Sequence, residues 1–333
     1  MRRRPSRITL AGEAGFDRSL KLSIAPLSRR IMKSVKVPPV SMPIRTIQHR
    51  TRGPRLTIMA AMLKTVAAVW LAASSTFAAS PAKIVLVAGK PSHGHAEHEF
   101  IAGTRLLEKC LRQNAGVEPV VVTGGWPQDE SVFDGARALL FYMDGGEGHP
   151  MIQGGHLAKI GALMQKGVGL VCLHYAVEVP KDRGGAEFLD WIGGYYERPY
   201  STNPVNDVAV TLASPKHPIS RGWKSFAGRD EWYYRMRFRP GDQRVTPILT
   251  AMLPKEAPQR EVIAWACERA DGGRGFGFTG GHYHKNWGIP DFRRMVVNAI
   301  LWSAKVDVPR GGARCDITAE DLAQNLDEKP PEK

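Results

Sequence analysis

The stretch Gly275–Trp287, GFGFTGGHYHKNW, combines a predicted buried strand with a histidine-bearing loop. Phe276 and Phe278 alternate with glycines, a pattern that a strand packed closely against its neighbours permits. The glycine pair after Thr279 allows the chain to turn sharply. From Asp291 onward, apolar residues at helical spacing predict a helix that packs on a sheet. The stretch is therefore typical of a strand-to-helix junction, where ligands bind in open α/β sheets.

Four other apolar runs predict strands of the same sheet, and amphipathic helices separate most of them. Continuous apolar runs that alternate with such helices are typical of a parallel sheet covered on both faces. Later runs joined by short turns predict an antiparallel extension. We therefore predict an α/β fold with a doubly wound, mostly parallel sheet. The parallel runs are Lys83–Gly89, Glu118–Val122, Ala138–Asp144 and Gly169–Leu173, and the antiparallel runs are Asp230–Phe238, Val245–Met252 and Glu261–Cys267.

The positive charge of the chain is concentrated at its N-terminal end. Fifteen of the 46 Lys and Arg precede Ser80, against only two of the 32 acidic residues, so the remainder is close to neutral. We expect no nucleic-acid partner, because the surplus charge lies in a segment with little hydrophobic periodicity. The four cysteines are widely spaced and form no CxxC pair, which indicates buried apolar side chains.

The N-terminal segment has the three-part layout of a secretory signal peptide, with Lys64, the apolar run Thr65–Ala73 and small residues. We expect an exported protein, periplasmic or secreted, without stable membrane insertion, because the apolar run is too short to span a bilayer. The predicted organisation is an unstructured basic leader or mis-called start over 1–61, a signal peptide over 62–80, an α/β domain over 81–308 and a charged tail over 309–333.

Histidines and carboxylates follow the predicted parallel strands. Because the carboxyl ends of parallel strands share one edge, we expect these side chains to converge in one cleft. A buried imidazole is costly without a partner, so His93, His174 and His282 are the foremost candidates for function. His98 and His156 fall on predicted helices and are expected to face solvent or to cap them. The strand-end residues are His93, His95, Asp144, His149, His174, Glu178, His282 and His284.

Three imidazoles with a carboxylate could bind a divalent metal, with His93, His174 and His282 as candidate ligands. A histidine pair of the HxH type points its side chains in opposite directions when extended, so acid/base chemistry without metal is favoured. The sequence does not identify a cofactor, and a divalent metal is the candidate that stays open. Cys172 is disfavoured as a nucleophile, because the residues that follow it are too large for a strained elbow.

Aromatic residues in the predicted loops and edge strands favour a carbohydrate ligand. Aromatic faces beside acidic and amide side chains suit the CH faces and hydroxyl groups of sugars. Glu231, which directly precedes an aromatic run, is the best carboxylate outside the sheet edge. The predicted substrate-binding residues are His93, Trp126, Asp144, His149, Glu178, Tyr233, His284, Asn286 and Trp287.

Between about Lys83 and Val308 the chain resembles the trehalose-utilisation, or ThuA-like, family. The resemblance rests on KIVLVAG, FYMDGG, GLVCLHYA, the HPI turn at His217–Ile219, DEWYYRMRF and FGFTGGHYHKNWGIPDFRRMVVNAILW. It implies a flavodoxin-like fold related to class I glutamine amidotransferases, without their Cys-His-Glu triad. It also implies a small-molecule carbohydrate substrate and a role in disaccharide breakdown, on oxidised 3-keto sugars.

For such a substrate the sequence predicts acid/base cleavage or isomerisation. A 3-keto group acidifies the neighbouring C2 proton, which His174 would remove while His282 or Glu231 protonates the leaving glycosidic oxygen. The predicted enzyme is a lyase, hydrolase or isomerase that acts on (3-keto-)glycosides. Two alternatives stay open: a non-catalytic carbohydrate-binding module, and a metal-dependent glycoside hydrolase or isomerase.

Overall fold

A computed structural model describes residues 80–329 of the protein. A nine-stranded sheet forms the centre of this part. Five neighbouring strands of the sheet are parallel, and the other four extend it in antiparallel fashion. The predicted doubly wound α/β fold with its antiparallel extension is confirmed. The leader and all of the predicted signal peptide except Ser80 lie outside the described residues, so export stays a prediction.

The strands and helices have the following bounds. The strands are β1 (Ala82–Ala88), β2 (Val117–Val122), β3 (Ala138–Tyr142), β4 (Gly169–Leu173), β5 (Gly194–Tyr195), β6 (Val205–Leu212), β7 (Phe226–Glu231), β8 (Arg237–Phe238), β9 (Val245–Leu253), β10 (Gln259–Glu268) and β11 (Arg274–Phe278). The helices are α1 (Phe100–Arg112), α2 (His156–Gln165), α3 (Gly185–Trp191), α4 (Pro290–Ser303) and α5 (Ala319–Ala323). The sheet order is β2-β1-β3-β4-β11-β10-β9-β6-β7, and β5 pairs with β8 separately.

Two hydrophobic cores lie on opposite faces of the sheet. Along β1, Ile84 and Leu86 enter one core and Val85 and Val87 the other, as the two-residue period of a strand requires. Helices α1 and α4 cover the first core, and α2 and α3 cover the second. Every residue of β3 and β4 is buried, because helices cover both faces of these central strands.

The glycines of β11 give its neighbours room. A Cβ atom on Gly277 would lie 2.2 Å from the indole of Trp265, so only glycine fits between the two phenylalanines. Beyond the strand, Gly281 has a φ of 117°, a left-handed conformation that favours glycine. The chain therefore turns at this point and presents His282 at the carboxyl edge of the parallel strands.

The predicted strand Asp230–Phe238 is interrupted. Strand β7 ends at Glu231 and β8 begins at Arg237, and between them Arg235 has a left-handed φ of 56°. This conformation is incompatible with a continuous strand, so the prediction of one element was wrong. The break leaves Glu231 at the end of β7, beside the carboxyl edge of the parallel strands.

The C-terminal tail packs on the domain. Arg293 of α4 donates to the carbonyl of Cys315, and Lys329 forms an ion pair with the buried Glu99 at 3.2 Å. Helix α5 begins with a capping box between Thr318 and Asp321. Within residues 80–329, no helix is both long and apolar enough to cross a membrane.

Candidate active site

Three histidines and one glutamate converge at the carboxyl edge of the parallel strands. His174 directly follows β4, His282 follows β11, His98 precedes α1, and Glu231 ends β7. One nitrogen from each histidine and one oxygen from Glu231 lie within 4.8 Å of one another. We call these four residues the histidine–glutamate cluster. Three of them are the predicted catalytic residues, which the fold therefore brings together.

His98 was misplaced by the sequence analysis. The helix begins two residues later, at Phe100, and the His98 side chain is 0% exposed. Its backbone N–H donates to the carbonyl of His282 at 2.9 Å, so the two loops that carry these histidines are directly joined. The predicted solvent-facing or capping position was wrong. The usable signal was the density of histidines in SHGHAEH, which is unusual for a surface helix start.

Each cluster histidine has one ring nitrogen that faces the other members, here called its inner nitrogen, and one outer nitrogen that faces away. The inner nitrogens approach one another closely. His98 Nε2 lies 2.9 Å from His282 Nδ1 and 3.0 Å from His174 Nε2. Glu231 Oε2 lies 3.3 Å from His282 Nδ1 and 3.5 Å from His174 Nε2. The other carboxylate oxygen of Glu231 accepts from Asn203 Nδ2 at 2.9 Å, which fixes its orientation.

The outer nitrogen of each cluster histidine faces a hydrogen-bond acceptor. His174 Nδ1 lies 2.8 Å from the carbonyl oxygen of Thr279, and His98 Nδ1 lies 3.2 Å from Asp144 Oδ1. His282 Nε2 lies 3.2 Å from Glu97 Oε1. A carbonyl or carboxylate can only accept, so each outer nitrogen carries the proton of the neutral ring. We assign the tautomers on this basis, and all three inner nitrogens are then lone pairs.

Three lone pairs that face one another repel unless a proton or a metal cation lies between them. A single proton on His98 Nε2 can point at only one of its two nitrogen neighbours, and the other contact stays repulsive. A divalent cation satisfies all of the inner atoms at once. For bonds of about 2.0–2.1 Å, adjacent ligand atoms lie about 2.9 Å apart at a right angle and about 3.4 Å apart in a tetrahedron. The four closest separations between inner atoms, 2.9 to 3.5 Å, match this range, and all the inner atoms lie within 4.8 Å of one another.

The donor set also fits a metal chemically. Imidazole nitrogens with one carboxylate suit Zn²⁺ and other first-row divalent ions better than Mg²⁺ or Ca²⁺, which prefer oxygen ligands. Outer carboxylates and carbonyls that hold ligating histidines are the usual second layer of such sites. Asp144, Glu97 and the Thr279 carbonyl occupy these positions here.

Charge within the cluster shifts the ionisation of its members. Burial raises the pKa of Glu231, but His174 and His282, when protonated, supply hydrogen bonds and charge that outweigh burial and bring the pKa far below its ordinary value. Burial alone would lower the pKa of His282, yet the hydrogen bond and charge of Glu231 raise it. Burial lowers the pKa of His98, and the neighbouring histidines lower it further. Glu231 is therefore a carboxylate, and His98 is neutral.

Several site residues have strained backbones. His93, His98 and His174 all adopt left-handed φ angles, of 61°, 45° and 52°. Such conformations cost about 1–3 kcal/mol each in a residue that has a Cβ atom, and they persist where the surroundings impose them. For His98, the hydrogen bond from its N–H to the His282 carbonyl is one contact that holds the backbone in this conformation.

His93 and Tyr233 also lie beside the histidine–glutamate cluster. The His93 ring lies face to face with His98, with 3.6 Å between ring centroids. The Ser92 hydroxyl donates its one proton to Asp144 Oδ1 at 2.9 Å. The hydroxyl oxygen of Ser92 therefore accepts the Nδ1 proton of His93 at 3.0 Å. The Tyr233 hydroxyl lies 3.5 Å from His174 Nε2. Burial raises the pKa of Tyr233 well above its ordinary value, so its hydroxyl stays protonated.

Other predicted site residues have structural partners away from the cluster. His149 is buried, accepts from the backbone of Met151 and donates to the carbonyl of Ala176. His284 donates to the Leu322 carbonyl, and Asn286 donates to the Arg229 carbonyl. These contacts hold loops in place, and none of the three side chains belongs to the cluster.

The two predicted stacking tryptophans differ in their surroundings. Trp287 is 1% exposed and packs against Tyr142 and Phe292, so it has no free face for a sugar. The expected contact of Trp287 with substrate was wrong, because the side chain belongs to the core. Trp126 lies parallel to the ring of His156 at 3.8 Å and lines a cavity of about 380 Å³ that also contains Asp144. This cavity opens beside the site.

A second cavity, of about 480 Å³, contains Glu178 and is lined by the loop Gly145–Gly148. Burial raises the pKa of Glu178 to about 7, although the charge of Arg198 partly opposes this shift. Cys172 is buried beneath the site, and burial raises the pKa of its thiol far above its ordinary value. A thiolate nucleophile at Cys172 therefore has no support.

Comparisons with known proteins agree with this architecture. Two solved structures, ThuA-like proteins from Parabacteroides merdae and Bacteroides uniformis, each share 16% identity with this chain, at TM-scores of 0.53 and 0.52. The first match covers 73% of this chain and 99% of the other, and the second covers 70% and 96%. At this identity the likeness shows a common fold. The carbohydrate deacetylase Agd3 is more distant, with 11% identity, a TM-score of 0.44, and 68% and 33% coverage.

The sequence itself identifies the family. A search of the curated proteins gave no match. The family model described as ThuA, trehalose utilisation, matches residues 84–303, which span β1 to the end of α4 and include every member of the histidine–glutamate cluster. The predicted resemblance is confirmed, and the chain belongs to the ThuA (trehalose utilisation) family.

Proposed function

We propose that this protein is a divalent-metal-dependent enzyme that cleaves or isomerises a keto-glycoside. One observation carries the proposal: three histidine lone pairs and a carboxylate oxygen converge, while an acceptor holds the outer nitrogen of each histidine. A sugar substrate is supported by the carbohydrate role of the ThuA family. The family does not specify the reaction, so the proposed chemistry rests on the site.

The geometry favours metal binding by His174 over its use as a general base. A base needs a nitrogen that faces the substrate, but His174 Nδ1 donates to the Thr279 carbonyl and Nε2 faces the cluster. The same holds for His282, whose nitrogens face Glu97 and the cluster. We therefore propose His98, His174, His282 and Glu231 as ligands. In this proposal the metal-dependent alternative replaces metal-free acid/base chemistry.

A bound divalent cation would act as a Lewis acid toward a keto or hydroxyl oxygen of the sugar. A 3-keto group makes the C2 proton acidic, and removal of that proton places negative charge on the keto oxygen. The protonated hydroxyl of Tyr233, close to His174, would donate a hydrogen bond to this developing charge.

His93 is the imidazole that stays free for proton transfer. Its Nδ1–H donates to Ser92, which donates to Asp144, so Nε2 is the lone pair of the neutral ring. Nε2 makes no hydrogen bond to any described protein group between residues 80 and 329. We propose that Nε2 takes the C2 proton, the C1–oxygen bond breaks as the enediolate collapses, and the leaving oxygen receives the same proton back from the His93 imidazolium.

Turnover of a 3-keto-disaccharide by the full chain tests this function. We expect 3-keto-trehalose to be consumed, chelation to abolish the reaction, and added Zn²⁺ or Mn²⁺ to restore it. Trehalose without the keto group should bind but not react, because its C2 proton is not acidic. Turnover that is unchanged after complete metal removal would contradict the proposal. Binding without turnover of any keto sugar would instead support a carbohydrate-binding module.

A further inference from the structure

The cavity that contains Glu178 has the features of a sugar subsite next to the cluster. It lies between the loop after β3 and the turn after β4, and the ring of its wall residue Tyr175 is 5.9 Å from the ring of His98. The cavity is therefore next to the cluster, with Tyr175 as the residue that adjoins both. We call it the Glu178 cavity.

Glu178 is a buried carboxylate with few partners. Its side chain is 4% exposed, and Oε1 lies 2.8 Å from Nε of Arg198. This ion pair is the one charged contact that the described residues provide for Glu178. A carboxylate withdrawn from water is costly unless several hydrogen bonds satisfy it. Hydroxyl groups of a ligand in the cavity would supply the missing donors.

Glycines keep the wall of the Glu178 cavity free of side chains. A Cβ atom on Gly145 would lie 2.1 Å from the carbonyl oxygen of Tyr175. Gly146 has a left-handed φ of 65°, and a Cβ atom there would lie 3.2 Å from Glu178 Oε1. The loop can therefore approach Glu178 only with glycine at these positions, and the space in front of the carboxylate stays open.

The paired charges of Glu178 and Arg198 match a vicinal diol. The carboxylate accepts from one hydroxyl group, while the guanidinium, whose side chain is largely exposed, donates to the next. The Tyr175 hydroxyl lies 3.5 Å from Arg198 Nη2 and adds a third polar group. Such an arrangement orients a sugar ring by its hydroxyl groups.

The lining charges disfavour an anionic sugar. The lining carries three acidic side chains, Glu147, Glu178 and Asp182, and two basic ones, Lys181 and Arg198. Arg183, outside the lining, pairs with Glu147, so acidic and basic side chains balance. The cavity therefore carries no net positive charge with which to bind a phosphate or a second carboxylate. We infer that the Glu178 cavity is the subsite for one ring of a neutral, unphosphorylated glycoside. This inference rests on the proposed function, because it takes the cluster as the reaction centre.

Calorimetric titration of the full, zinc-loaded chain at pH 8 tests the inference, with trehalose, methyl α-glucoside and trehalose 6-phosphate as probes. Trehalose or the methyl glucoside should bind, and the phosphorylated sugar should bind at least tenfold more weakly. Glu178→Gln should weaken binding of the neutral sugar by about tenfold or more, because a charge-assisted hydrogen bond is lost. The variant should keep its full metal content.

Glu197→Gln is the matched control. Glu197 forms a comparable part-buried ion pair with Arg237 at 2.9 Å, outside the cavity, and its loss should leave sugar affinity unchanged. Equal affinity of Glu178→Gln and wild type, tighter binding of the phosphorylated sugar, or binding of neither neutral probe would overturn the inference. Absence of metal from a wild type whose sugar affinity depends on Glu178 would overturn the proposed function and leave the subsite standing.

Discussion

Asp144 and Glu97 form an outer layer around the histidine–glutamate cluster, and removal of charge from either should weaken metal binding by a limited, measurable amount. Asp144 accepts the Nδ1 proton of His98, and Glu97 lies beside Nε2 of His282. Loss of such outer partners typically lowers metal affinity by about 10–100-fold. Asp144→Asn and Glu97→Gln keep an acceptor oxygen in place and remove only the charge. The side chain of Asp144 is 41% exposed, so solvent screens its effect.

We therefore expect each single variant to lie near the low end, at about tenfold, or ~1.4 kcal/mol. The two carboxylates hold different ligands, so their effects should combine to about 100-fold in the double variant. The assay is competition for Zn²⁺ between the metal-free full chain and a chromophoric chelator. Glu147→Gln is the control, because this exposed carboxylate pairs with Arg183 and does not contact the cluster. Affinities of both variants equal to that of the control would refute the assignment of the outer layer.

Three further predictions concern His93, Trp287 and His149. His93→Gln should keep its metal but lose most turnover of 3-keto-trehalose, and parallel metal and rate measurements check this; a loss of metal would make His93 a ligand instead. Trp287→Ala should lower the free energy of unfolding by about 3–5 kcal/mol, since its indole is fully packed; urea denaturation that shows a loss below 1 kcal/mol would contradict the burial. Burial lowers the pKa of His149 to about 4, below its ordinary value of 6.5, so its contribution to stability is present above pH 6.5 and is lost as the pH falls through about 4. The loss should reach about 3 kcal/mol in metal-free protein and should be absent in His149→Gln; equal pH dependence of both proteins would disprove it.

The parallel half of the fold follows from the sequence because its strands are buried on both faces. The continuous apolar run Gly169–Leu173 matches β4 at both ends. The antiparallel half was less accurate, since the break after Glu231 depends on the backbone conformation of Arg235, which no local pattern of apolar residues reveals.

The sequence predicts that histidines converge at one sheet edge, but it does not identify every residue that lies there. Topology alone places His174 and His282 at one edge, which is why the sequence identifies them. His98 reaches the same point only because its loop hydrogen-bonds to the loop of His282, a contact between distant segments. Trp287 resembles an exposed loop residue in sequence, but α1 packs so closely that a Cβ atom on Gly103 would lie 2.8 Å from its indole nitrogen. Long-range packing decides both cases.

The metal content of the purified full chain, measured beside that of His98→Gln, tests the central claim most directly. The histidine–glutamate cluster predicts about one tightly held first-row divalent ion per chain, by the ligand count of such sites. The ion should be largely absent from His98→Gln, while the unfolding transition of the variant shows that it is folded. A wild type that takes up no such ion after incubation with Zn²⁺, Mn²⁺ or Fe²⁺, or a His98→Gln variant that holds it equally well, would contradict the account.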